Sequence, residues 1–76
     1  MNISEFKQGK NFRLLSFGEA SFIYRQRLMS MGLLEGLIIK VLNVAPLGCP
    51  IHLEVGQVHI ALRRNEIQCL VWEEAG

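Results

Sequence analysis

Only two histidines occur in the 76 residues, His52 and His59, and Glu54 lies between them. If Gly56-Gln57 forms a two-residue hairpin turn with glycine at its first position, Val55 pairs with Val58, Glu54 with His59, Leu53 with Ile60 and His52 with Ala61. That register puts Glu54 directly across from His59, with His52 on the diagonal, on one polar face. Two imidazoles and a carboxylate so placed would suit Fe(II) or Zn(II), which makes His52, Glu54 and His59 the candidate metal set, with weak Fe(II) binding as the expected chemistry. The same three residues also read as the ordinary solvent side of a half-exposed hairpin, because the neighbours that would orient a ligand set leave no mark in one sequence.

The cysteines, Cys49 and Cys69, lack the CxxC spacing of a structural metal site. Both read as plain thiols, Cys49 exposed in a turn and Cys69 filling the core at the start of a strand. A thiol nucleophile would need a histidine base and a third residue to orient it, and no such alignment is visible. The seven glycines are scattered singly, without Rossmann or Walker spacing. No catalytic or cofactor-binding residue is expected, and the chain does not read as an enzyme.

A second group of residues suits binding. Arg25 and Arg27 fall on the best helical segment, and Met29, Leu34 and Phe22 fall off its inward line. Together they would leave an apolar patch beside two cations, a surface suited to an acidic protein partner. Arg25, Arg27, Met29 and Leu34 are therefore the candidate partner-binding residues. The plainer alternative is a solvated basic face, with Phe22 stapling the helix start and Leu34 capping the barrel end. Arg63 and Arg64 make a second basic pair after the hairpin.

These groups must be held by short elements. Phe12, Leu14 and Ser16 alternate with Arg13, Leu15 and Phe17, a first strand ending at Gly18. From Ser21 to Met31 the period changes, with Tyr24, Leu28 and Met31 at i, i+4 and i+7. Ser21 is the expected N-cap, Gly32 the left-handed stop, and Leu33 the apolar contact that accompanies it. Leu37 to Ala45 reads as a long bent strand, apolar on both faces. Pro46-Leu47-Gly48-Cys49-Pro50 is a turn, and the hairpin follows with Ile51, Leu53, Val55, Val58, Ile60 and Leu62 on one face. Arg63 to Glu66 is a short helical turn or loop, and Cys69 to Glu73 a last strand that would close a barrel. The sum is a mainly β fold: a small SH3-like barrel of about five strands with one inserted α-helix between the first and second strands. An OB-fold is the rival, but its helix usually comes later in the chain.

Length and composition narrow the function. Seventy-six residues make a single domain, residues 1–76, too small for a multidomain enzyme. Half the residues are apolar and the net charge is +1, so the chain should fold. Eight Lys and Arg against seven Asp and Glu give too little counterion release for nucleic-acid binding. The longest mainly apolar stretch, Leu37 to Ala45, is broken by Lys40 and Asn43 and is too short to span a bilayer, and the N-terminus lacks a signal-like apolar region. Two cysteines in so small a domain indicate a reducing compartment. A soluble, cytoplasmic protein without direct membrane insertion is expected, with weak self-association open through an edge strand. A polyproline groove would need exposed aromatics, and most of Phe6, Phe12, Phe17, Phe22, Tyr24 and Trp72 fall in core-facing patterns.

The sequence resembles the FeoA family (ferrous iron transport protein A) over nearly its whole length. The resemblance is carried by Ile3-Ser4-Glu5-Phe6-Lys7-Gln8-Gly9, by Arg27-Leu28-Met29-Ser30-Met31-Gly32-Leu33-Leu34-Glu35-Gly36, by Ala45-Pro46-Leu47-Gly48-Cys49-Pro50, and by Ala61-Leu62-Arg63-Arg64. Glu35 and Gln8 stand where proline is common in the family, and Cys49 where Gly or Asp is more usual. The resemblance implies a cytosolic accessory of bacterial ferrous iron uptake that acts by docking on FeoB, the membrane iron transporter with a cytosolic G domain. It carries over no catalytic or metal residues. A similar domain ends the diphtheria-toxin type iron-dependent repressors, but the helix-turn-helix and metal-binding helices of those proteins are missing here. The alternative function is a ferrous-iron sensor using the His52, Glu54 and His59 face.

Overall fold

Alternation of side chains builds the sheet, and the computed structural model describes it for residues 3–76. In β1 (Asn11–Ser16) Phe12 and Leu14 are fully buried while Arg13 and Leu15 face out. In β2 (Ile38–Val44) Ile39 and Val41 are buried, and in β3 (Ile51–Val55) Ile51, Leu53 and Val55 are. In β4 (Val58–Leu62) Ile60 and Leu62 turn inward. The last strand, β5 (Val71–Glu74), contributes Trp72 to the core. All pairs are antiparallel and the order is β4-β3-β2-β1-β5, so the first strand lies between the second and the last.

The sheet bends at two extra residues. Leu14 pairs with Trp72 and Ser16 with Val71, which leaves Leu15 unopposed; Val41 pairs with Leu53 and Asn43 with His52, which leaves Leu42 unopposed. Each is a bulge that sharpens the local twist. Five strands with a helix after the first are as expected, but the last strand does not close a barrel: β4 and β5 remain the two edges. Beyond β5 the space is taken by α2 (Arg64–Gln68) and by a 3-10 turn at Ile3–Glu5. Their Ile3, Ile67 and Leu70 neighbours cap the core in place of another ladder. Phe6 stacks on Phe12 at 4.1 Å between centroids and meets Trp72 edge-on at 5.3 Å. The Trp72 indole donates to the Ile67 carbonyl at 3.0 Å, so its one polar atom is satisfied inside.

Helix α1 (Phe22–Ser30) has both expected caps. Ser21 Oγ accepts the Tyr24 N–H at 3.2 Å. At the other end the Gly32 N–H bonds the Met29 carbonyl and the Leu33 N–H the Leu28 carbonyl, both at 3.0 Å, and Gly32 takes φ +97°. This paired pattern is a Schellman stop; Leu28 and Leu33, both fully buried, supply its apolar contact. Tyr24 and Met31 pack half-buried on the core, as the helical line predicts.

Two local expectations are corrected. Cys69 is exposed, not a core filler, because it is the C-cap of α2 and the strand begins two residues later, at Val71. The pattern of Ile67 and Leu70, both buried, belongs to that helical turn. Val58 is 49% exposed although its strand parity is inward, since it sits at the tip of the hairpin, past the edge of the core. The Cys49–Pro50 peptide bond in the turn before β3 is cis.

Candidate functional site

The hairpin forms in the expected register, with Val55 opposite Val58, Glu54 opposite His59, Leu53 opposite Ile60 and His52 opposite Ala61. Glu54 Oε2 lies 3.3 Å from His59 Nε2, with both side chains in solvent. On the other flank of β3, Lys40 pairs with Glu54 and Asn43 with His52. The fold therefore joins Glu54 to His59 but does not gather His52 with them. Among the described residues no group of three or more His, Cys, Asp or Glu side chains could hold a metal ion.

The rim of α1 is built differently. Residues three and four apart share a helix side, so Phe22, Arg25 and Met29 stand in one row and Ile23 and Arg27 in the next. Phe22 is 68% exposed, Met29 38% and, just past the Schellman stop, Leu34 43%. Neither stapling by Phe22 nor capping by Leu34 takes those side chains out of water. The Arg25 guanidinium sits over the Phe17 ring at 5.9 Å, which restrains its direction without neutralising it. The helix Phe22–Ser30 contains no acidic residue. Arg25, Arg27, Met29 and Leu34 are all exposed, on a surface that alternates apolar and cationic groups.

Sequence reasoning missed Ile23, the most exposed apolar side chain of this rim at 81%. Its signal was available, since it too falls off the Tyr24, Leu28 and Met31 line. It also missed Leu47, at the tip of the Pro46–Pro50 turn and 95% exposed. The turn is held from below by Ala45 and Pro50, through the Ala45 N–H to Pro50 carbonyl bond at 3.1 Å, and Gly48 lies against the Arg64 side chain.

Behind the rim, Tyr24 connects α1 to α2. Burial raises the pKa of its hydroxyl well above the usual tyrosine range, and the nearby Glu66 carboxylate adds to this. The two groups influence each other's titration, but the hydroxyl closes no hydrogen bond of ordinary geometry. Glu66 is pushed up by its own burial, but the Tyr24 hydroxyl, the Arg63 N–H and the Arg63 and Arg27 charges outweigh that and lower its pKa. Its Oε1 accepts the Arg63 N–H at 2.7 Å, at the start of α2.

Two concavities open on the surface. One of about 660 Å³, beside β5, is walled by Ile3, Phe6, Leu70 and Trp72 among others, none of its described lining residues being ionisable. The other, of about 370 Å³, lies between the 3-10 turn, β2 and α2, and among the described residues its only ionisable groups are Lys7 and Arg64. Neither pairs a nucleophile with a base. Of the aromatics, Phe22 alone is largely exposed, so no aromatic groove for a polyproline helix is formed. No helix among the described residues is long and apolar enough to cross a membrane.

The family model of the FeoA domain matches residues 1–73. The solution structure of the FeoA protein from Chlorobium tepidum is 36% identical, with TM-score 0.87, over 100% of this chain and 71% of that one. The iron(II) transport protein A from Clostridium thermocellum is 33% identical, again with TM-score 0.87, over 100% of this chain and 46% of that one. The zinc complex of Stenotrophomonas maltophilia FeoA is 24% identical, with TM-score 0.76, over 96% of this chain and 89% of that one. That protein is described as a prokaryotic SH3 domain and has been put forward as a ferrous iron transport activating factor.

Proposed function

This chain belongs to the FeoA family, associated with ferrous iron transport, and from that premise we propose that it is a cytosolic accessory that docks on a FeoB-type membrane iron transporter through the rim of α1. The observation that carries this reading is the rim itself. Phe22, Ile23, Met29 and Leu34 are left in water around Arg25 and Arg27, on a helix with no acid of its own. Exposed apolar groups supply burial on association, and the two guanidinium groups select a partner face with carboxylates at matching places. Leu28 anchors the helix from beneath, and the Schellman stop fixes where Leu34 leaves it. The rim is thus a rigid surface, and little ordering entropy opposes its docking.

The test is a pull-down of this chain with the full transporter, with and without Fe(II) and guanine nucleotide, repeated with R25E/R27E. Binding that survives in the wild type without metal and falls at least about tenfold in the double variant supports rim docking. Charge reversal that leaves both binding and iron uptake unchanged refutes it. The contact between Glu54 and His59 supports two of the three ligands of one competing reading, a sensor in which His52, Glu54 and His59 take Fe(II) and alter the docking surface, which would require His52 to move toward that pair. Binding that appears only with Fe(II), and is lost in H59A, would favour that reading.

A further inference from the structure

We propose that the concavity between the 3-10 turn, β2 and α2 is an anion site for a phosphate group, independent of docking through α1. Its polar lining includes Lys7 and Gln8 after the 3-10 turn, Asn43 on β2 and Arg64 on α2. Among the described residues no carboxylate lines it. In a chain of net charge +1, two cations over one hollow are a local excess. The contrast with the neighbouring sheet is direct: Lys10 is paired with Glu74 at 2.9 Å and Arg13 faces Glu73 at 3.9 Å. Lys7 and Arg64 make no ion pair among the described residues.

Arg64 is also placed. A Cβ at Gly48 would come within 3.1 Å of its guanidinium, so the glycine makes room for the side chain to lie along the turn. Phe6 and Val44 form part of the floor. The donors come from three separate segments. A planar carboxylate is satisfied by one guanidinium, whereas a tetrahedral phosphate offers acceptor oxygens in several directions and carries more charge. Two cationic and two amide residues from three segments around one hollow suit the second shape.

The test uses the full chain, labelled with 15N and titrated with inorganic phosphate at constant ionic strength, with acetate as the parallel arm. The expected result is a saturable shift confined to the amides around Lys7, Gln8, Asn43 and Arg64, with Kd of about 5 mM or tighter, and at least tenfold weaker binding in K7A/R64A. Because Arg64 leans on Gly48, K7A alone serves as a second variant; it should weaken phosphate binding severalfold with the rest of the spectrum unchanged. No saturation by about 50 mM, shifts unchanged in both variants, or acetate binding as tightly as phosphate would each overturn the proposal.

Discussion

Replacing Gly18 with alanine should be among the most damaging single changes in the chain. Gly18 follows the bulged end of β1 and leads into α1, with φ +53°. A Cβ there would run into the Cys69 carbonyl oxygen, which accepts the Glu19 N–H at 3.1 Å. Two costs add. The left-handed backbone costs a non-glycine residue about 1–2 kcal/mol, and displacing the carbonyl forfeits a hydrogen bond worth about 1 kcal/mol, before any strain in the α2 cap. The sum is about 2–3 kcal/mol, against a total stability of about 4–11 kcal/mol for a domain of this length. Gly32 is the control: its φ is +97°, but no atom lies within 4 Å of its built Cβ, so G32A carries the backbone cost alone. Urea denaturation followed by Trp72 fluorescence reads both. G18A should exceed G32A by at least about 1 kcal/mol, or about 4–8 °C in Tm, with the m-value unchanged. If G18A falls within about 0.5 kcal/mol of G32A, the contact between this turn and the α2 cap is not the constraint inferred here.

Three further outcomes follow from particular groups. Y24F removes a buried hydroxyl with no hydrogen bond, so stability should be unchanged or rise by up to about 1 kcal/mol in the same denaturation assay; a loss near 2 kcal/mol would mean the hydroxyl is bonded to the Glu66 carboxylate. Glu66 has a lowered pKa in the folded chain, so its contribution is complete above the unfolded glutamate value of about 4.3 and is lost as pH falls through the folded value. E66Q should therefore flatten the acid limb of stability against pH, and an identical acid limb would contradict this. Cys49 and Cys69 are both free and exposed, so a maleimide should label two thiols in the native protein at comparable rates, and protection of Cys69 until unfolding would restore it to the core.

The parts legible in the sequence were those where two constraints coincided. In the hairpin, strict alternation on both arms agreed with a Gly-first turn, and a slip of one residue would have turned every apolar side chain outward. At the helix exit, the Gly32 stop and the Leu33 contact supported each other. The bulges at Leu15 and Leu42 were hidden because a leucine in a strand looks inward by type, and only pairing across the sheet shows it unopposed. Helix α2 is short and its helical turn was visible only from Arg63 to Glu66, so its end at Gln68 was missed, which displaced Cys69 inward and moved the start of β5. Barrel closure failed as an expectation because strand order says nothing of whether edges meet; the α2 and 3-10 segments filled that end instead. Of the candidate site, the exposure of Arg25, Arg27, Met29 and Leu34 was visible from helical phase. The separation of His52 from the Glu54 and His59 contact was not, since a diagonal neighbour on a twisted hairpin lies beyond the reach of pairing rules.

The docking role of the α1 rim is tested most directly by the affinity of the purified chain for the detergent-solubilised transporter, measured for wild type, R25E/R27E and H52A/H59A in matched buffers without added metal. The predicted result is wild-type affinity in the histidine variant and at least about a tenfold loss in the arginine variant, about 1.4 kcal/mol or more, with both variants equally folded. Equal affinity of wild type and R25E/R27E would contradict it.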